Sequence, residues 1–288
     1  VSDTGVQVRS NLLNLLRTLL AGGVAAALLS ACSGISDYST AFSDDLPTRA
    51  SVPEVPLIRQ ADYFCGPASL AMVLSWSGPD VTQQEIAAQS FSPSAKGTFR
   101  ADLIGAARRR GQLVVPVADF SDLLTEVAAG HPVIVFQNLS LGVAPRWHYA
   151  VVVGFDRSKQ ELTLHSGELE IMQMPFEAFE RTWMRGDRWA ITVLPPDHLP
   201  AAAPEDAVLL AAAALEETGM VREAEAAYAA GMQRWSDAWI WPFGLGNARY
   251  AQGDLSGAEQ AFRIAAGIAP DVPEIDANLA QVRSELGR

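Results

Sequence analysis

The chain has 288 residues and a formal charge of -12, from 21 Lys and Arg against 33 Asp and Glu. With 49% hydrophobic and 19% charged residues it has a globular composition, long enough for one sizeable core and a smaller second unit. The acidic balance argues against nucleic acid as a partner, which would need a basic face.

Residues 1–31 read as an export signal. Arg9 and Arg17 precede a short apolar run, Leu19 to Leu29, which closes on small residues and Cys32. The run is too short for a comfortable membrane span. Leu29-Ser30-Ala31-Cys32 resembles a bacterial lipobox. That resemblance implies lipidation of Cys32, attachment to a membrane through the lipid and, with Ser33 rather than Asp following, an outer-membrane position facing the periplasm. Cys32 and Cys65 are the two cysteines. If Cys32 carries lipid, Cys65 has no disulfide partner in a compartment where disulfides persist.

Residues 32–51 are rich in Ser, Asp and Thr and read as a tether. Residues 52–196 mix helices and strands. Cys65 opens an apolar helix stopped at Ser77-Gly78-Pro79, and Thr82-Gln83-Gln84-Glu85 is a capping box that starts the next. Arg100 to Arg110 is helical, with Arg108, Arg109 and Arg110 read as a solvated helix end. Leu113 to Val117 is a strand, Phe120 to Ala129 a helix and Pro132 to Phe136 a strand. Trp147 to Phe155 is the longest strand, followed by strands over 161–165 and 169–174. A helix to Met184 and a closing strand, Trp189 to Leu194, end the region. Helices come first and strands later, which predicts an α+β fold rather than alternating α/β.

Residues 197–204 are rich in Pro and Ala and read as a linker. Over 205–288 the composition turns to alanine-rich helix. Gly219, Ala224, Tyr228 and Gly231 recur 34 positions later as Gly253, Ala258, Phe262 and Ala265. Together with Leu245-Gly246, Tyr250 and Pro270, this pattern resembles a tetratricopeptide repeat. The resemblance implies an all-α module that binds a protein partner, with 274–286 as its terminal helix. Two repeats are too few for independent stability, so the module is expected to lean on the α+β domain.

The chemistry centres on Cys65. A thiol at a helix N-terminus feels the positive end of the dipole, which lowers its pKa and makes it nucleophilic; a small buried residue at a helix start is the plainer alternative. A nucleophile needs a base. Of the four histidines, His131 reads as surface punctuation before Pro132 and His198 lies in the linker. His148 begins the longest strand and His165 ends the next. No Cys/His cluster has metal spacing, so neither metal nor cofactor is expected.

Gln60, Cys65-Gly66-Pro67 and His148-Tyr149 with Val151 to Asp156 together resemble the bacteriocin-processing double-glycine peptidases, which are papain-like cysteine peptidases. The resemblance spans roughly 52–196. It implies a papain-like fold and a peptide or protein substrate, with Gln60 and the Cys65 N–H as oxyanion donors, Cys65 as nucleophile and His148 as base. It also implies an aspartate behind the histidine, where this chain has His165 before Ser166-Gly167. His165 could orient His148 as a neutral imidazole, or leave a Cys–His dyad, with Asp156 and Glu168 as nearby substitutes. The chain has no P-loop, so cleavage coupled to a fused transporter is not carried over. A peptide-binding scaffold without cleavage, and acyl or amide transfer through the same thioester, stand as alternatives.

Overall fold

The computed structural model describes residues 45–140, 143–167 and 169–287. The signal, Cys32, most of the tether and Glu168 lie outside the described residues. Within them an antiparallel sheet and a helical module are joined through a shared apolar core, so the fold is α+β.

The sheet has seven strands: β1 (Arg49–Ser51), β4 (Leu113–Pro116), β5 (Val133–Asn138), β6 (Trp147–Asp156), β7 (Glu161–Ser166), β8 (Leu169–Pro175) and β9 (Ala190–Leu194). Their order is β4-β9-β5-β6-β7-β8, with β1 pairing the far end of β6. A separate hairpin is formed by β2 (Phe91–Ser92) and β3 (Gly97–Thr98). From Tyr149 to Phe155 every residue of β6 is buried, because both faces of the sheet are covered. On one face lies α1 (Cys65–Ser77), whose residues Gly66 to Leu74 are all buried. The capping-box helix α2 (Gln83–Ser90) and α3 (Arg100–Arg108) follow. On the other face, α4 (Phe120–Ala128) and α5 (Phe176–Met184) interlock through Phe120, Phe176 and Phe179.

Five helices follow: α6 (Glu205–Glu217), α7 (Val221–Arg234), α8 (Ile240–Ala251), α9 (Leu255–Ile268) and α10 (Pro273–Glu285). The α6–α7 and α8–α9 hairpins carry the repeated positions. Gly219 and Gly253 both turn the chain with φ of +81°, a conformation glycine adopts without strain. Tyr228 packs on Gly244 and Phe262 on Gly246, where any Cβ would strike the ring. The module leans on the sheet as expected. Leu113 and Val115 of β4 share a core with Val208, Ala211, Ala212 and Leu215 of α6. The module therefore covers the edge of a sheet whose exposed backbone would otherwise invite pairing with another chain.

Several expectations need correction. The tether is shorter than 32–51: Arg49 to Ser51 pair with β6, Arg49 bridges Asp156 at 2.8 Å, and Leu46 is buried. The alternation in this stretch is too brief to read as a strand. The 197–204 linker is docked. Ala201 and Ala202 donate to buried Glu126 at 3.1 and 2.7 Å, and Arg234 donates to the Pro200 and Ala201 carbonyls. His131 is no surface punctuation, since its Nδ1 lies 2.7 Å from the same Glu126. The arginine run is a solvated helix end only in part. Arg109 and Arg110 hold Gln89 at the end of α2, while Arg108 is half-buried near Glu217 of the module.

Candidate active site

Cys65 is the first residue of α1. A helix start leaves its first N–H groups without intrahelical partners. Here Pro67 has none to offer, and the N–H of Ala68 already reaches the Phe64 carbonyl at 2.8 Å. The free donors are those of Cys65 and Gly66, and both act on the thiol together with the backbone N–H of Tyr149. The sulfur thus sits in a small nest of N–H groups. Burial is nevertheless the largest influence and pushes the Cys65 thiol up from its ordinary value; the three N–H groups oppose it without overcoming it. The helix start acts on the thiol as expected, but the net direction is opposite to the one inferred from the helix dipole alone.

Gly66 explains how the helix comes so close to β6. A Cβ there would lie 3.2 Å from the Tyr149 ring and 3.1 Å from Thr98 Cβ. Tyr149 is buried, donates to the Thr98 carbonyl at 3.1 Å and packs against Phe136 and Trp189. This aromatic wall fixes the height of the thiol above the strand. Its burial also raises the Tyr149 hydroxyl pKa far above the ordinary range, so the phenol stays protonated.

His148 immediately precedes Tyr149 at the entry of β6, where it is half-buried. Its partner across β5 is Gln137, which donates to Thr182 Oγ1 of α5 at 2.6 Å. The His148 Nε2 lies 2.8 Å from Ser166 Oγ. Ser166, not His165, is the β7 side chain hydrogen-bonded to that nitrogen. Strand parity is the reason. His165 pairs with Val151, an odd number of residues from His148, so it belongs to the other face; Ser166, one residue on, belongs to the same face as His148. The imidazole of His165 turns instead to the Pro56 carbonyl, and its Nδ1 is buried without a hydrogen-bond partner. Burial lowers the His165 pKa below its ordinary 6.5, with the Pro56 carbonyl opposing. The expected role of His165 as the group behind His148 is corrected on this geometry.

Gln60 comes to the same spot from the loop before α1. Its N–H donates to the Gly167 carbonyl at 3.1 Å, and its side chain lies so close to Gly167 that a Cβ there would collide with Oε1. The Oε1 atom is buried without a partner. Cys65 on the Tyr149 amide, His148 on Ser166 and Gln60 on Gly167 are thus each anchored at one end of β6 and β7. All four polar side chains, Gln60, Cys65, His148 and Ser166, are half-buried, so the cluster opens towards solvent. Sequence reasoning missed Ser166 and Gly167. The period-2 alternation of β7 was the signal that could have found Ser166. Gly167 had no comparable signal, because its role is a close approach by a residue distant in sequence. Among the described residues no group of His, Cys, Asp and Glu could hold a metal ion.

Residues 52–188 match the model of the Peptidase_C39 like family. No curated protein matches the chain. Among solved structures, the chain is similar to a C39-like peptidase from Bacillus anthracis, with 20% identity, 51% of this chain and 98% of that one covered, and a TM-score of 0.44. It is also similar to the peptidase domain of Streptococcus ComA, a bi-functional ABC transporter of a quorum-sensing pathway, at 24% identity, 49% and 98% coverage and a TM-score of 0.41. A third is Xylellain, a cysteine protease from Xylella fastidiosa, at 13% identity, 52% and 86% coverage and a TM-score of 0.40.

Proposed function

We propose that the α+β domain is a papain-like cysteine peptidase acting on peptide or protein substrates. The observation that carries this reading is that one end of β6 and β7 holds the Tyr149 N–H that acts on the Cys65 thiol, the His148–Ser166 pair and Gln60 packed on Gly167, within the segment that matches the Peptidase_C39 like family. Because burial holds the isolated thiol protonated, the thiolate must come from proton transfer to His148 rather than from the helix start alone. The thiolate then attacks the substrate carbonyl carbon. Gln60 Nε2 and the Cys65 N–H receive the oxyanion. The C–N bond breaks as His148 returns the proton to the leaving amine, and water cleaves the thioester and restores the thiol. Ser166 holds His148 as a neutral hydroxyl, so the imidazolium gains less stabilisation than a carboxylate would give. In the same proposal, lipid on Cys32 holds the chain at the periplasmic face of the outer membrane, and the helical module binds a protein partner.

The test is the pH profile of Cys65 alkylation by iodoacetamide. The expected result is rapid alkylation at neutral pH in the wild type. In His148→Ala, reaction should begin only above the ordinary thiol value of 9.0. Coinciding profiles would sink the peptidase reading. They would favour a second reading, a peptide-binding scaffold, which the raised thiol and the lack of a carboxylate at Ser166 already support. For the anchor, Cys32→Ala should release the chain from the membrane fraction; retention there would refute lipidation as the tie.

A further inference from the structure

We propose that Gln83 is a positioning residue that sets the direction of the Gln60 side chain; this rests on the peptidase reading above. Gln83 is the first residue of α2 and is nearly fully buried. Its Oε1 accepts from the Ala61 N–H at 2.8 Å and its Nε2 donates to the Arg59 carbonyl at 2.9 Å. An N–H can only donate and a carbonyl only accept, so the orientation of the Gln83 amide is fixed by its partners. Those partners are the two peptide groups that flank the Cα of Gln60. The Arg59–Gln60 peptide is held at both ends, its carbonyl by Gln83 and its N–H by the Gly167 carbonyl at 3.1 Å. The Gln60–Ala61 peptide is held by its N–H. With both peptide planes fixed, φ and ψ of Gln60 are fixed, and with them the direction of its Cα–Cβ bond.

The loop needs this hold. Tyr63, two residues before Cys65, has a φ of +65°, a left-handed conformation that costs a non-glycine residue about 1 kcal/mol or more. Only four residues turn the chain between Gln60 and Cys65, and the Phe64 N–H closes that turn onto the Ala61 carbonyl at 3.0 Å. The base of the clamp is anchored in turn. Thr82 Oγ1 accepts from the Glu85 N–H at 3.3 Å, and the Glu85 carboxylate accepts from the Thr82 N–H at 2.8 Å, so α2 starts where Gln83 can reach the loop.

The experiment compares two reactions of Cys65. Acylation by p-nitrophenyl acetate passes through an oxyanion: the sulfur bonds the carbonyl carbon and p-nitrophenolate leaves. Alkylation by iodoacetamide displaces iodide and forms none. The variants are Gln83→Glu, which keeps the acceptor for Ala61 but loses the donor to Arg59, and Gln83→Met, which loses both. Folding of each is checked by circular dichroism. Both should acylate more slowly by roughly tenfold or more, up to the ~100-fold or greater loss of a missing oxyanion donor in Gln60→Ala, while alkylating at the wild-type rate. Combined with Gln60→Ala, neither should slow acylation further. Wild-type acylation in both Gln83 variants while Gln60→Ala is slow would overturn the role of Gln83 alone, as would losses that add or alkylation that falls in step. If Gln60→Ala acylates normally, the oxyanion role of Gln60 fails and takes Gln83 with it. If wild-type Cys65 is not acylated at all, the peptidase reading itself fails.

Discussion

The α+β domain and the helical module handle strain in opposite ways. Among the described residues, every non-glycine residue with positive φ lies in the α+β domain: Glu54, Tyr63, Lys96, Gln160, Asp187 and Arg188. The module turns left-handed only at glycines, Gly219, Gly253 and Gly287. Buried polar atoms without hydrogen-bond partners follow the same division. Gln60 Oε1, Thr98 Oγ1, Arg108 Nε, Gln112 Oε1 and His165 Nδ1 all lie before residue 197, and none falls within 205–287. Each such group costs about 1–3 kcal/mol. A region selected for packing alone has no reason to keep such costs, whereas one that must hold reactive groups in a set geometry tolerates them. The module is a packing solution, and the sheet end at Cys65 is a positioning solution.

Substitutions can break that contrast or sharpen it. The largest stability effect is expected in the module, where Phe262 is fully buried among Ala258, Leu279 and Val282. Phe262→Ala should cost about 3–5 kcal/mol in chemical denaturation, while the folded fraction still alkylates Cys65 at the wild-type rate. A parallel loss of reactivity would show that the module shapes the site. Two glycines then separate the regions directly. Gly167→Ala, which drives a Cβ into Gln60, should cut acylation of Cys65 by on the order of 100-fold with a smaller change in stability. Gly219→Ala meets open space and should cost about 1 kcal/mol from its positive φ alone, with reactivity intact. Equal effects on acylation from the two would erase the distinction. A smaller loss of rate than in Gly167→Ala is expected from Ser166→Ala, which removes one hydrogen bond to His148 and should slow acylation about tenfold. Ser166→Asp should restore or exceed the wild-type rate. An unchanged rate in Ser166→Ala would mean that His148 is held by other contacts.

Much of the architecture was legible because it rests on periodicity. The helices over 65–77, 83–90 and 120–128 and the β5 to β9 strands fall within a few residues of their expected limits. The 34-residue spacing of Gly219 and Gly253 reappears as two helical hairpins with the same turn. Gln60, Cys65 and His148 were grouped by the family resemblance, and the structure anchors each of them at the same end of β6 and β7. What failed depended on local direction or on distant partners. Reading His165 into the place of the missing aspartate followed sequence distance and ignored alternation along β7. The thiol shift was misjudged because a helix start is visible in sequence, whereas the desolvation that outweighs it comes from the Tyr149 wall and α1 packing. His131 looked like an exposed loop residue because its partner Glu126 and the linker N–H groups meet only in three dimensions.

The place of β9 in the sheet sets an order of events during biosynthesis. Residues 190–194 are the last strand of the domain to be made, yet they lie between β4 and β5 rather than at the margin. Until they emerge, β4 has no neighbour and β5 keeps a bare flank. Cys65, more than 120 residues earlier, then rests on a scaffold that cannot yet close. A nascent chain stalled before residue 190 would therefore carry the thiol without the finished sheet beneath it. Only when the α6 helix arrives, some ten residues after β9, does the β4 margin gain its cover. The topology delays the finished scaffold beneath Cys65 until the domain is essentially complete.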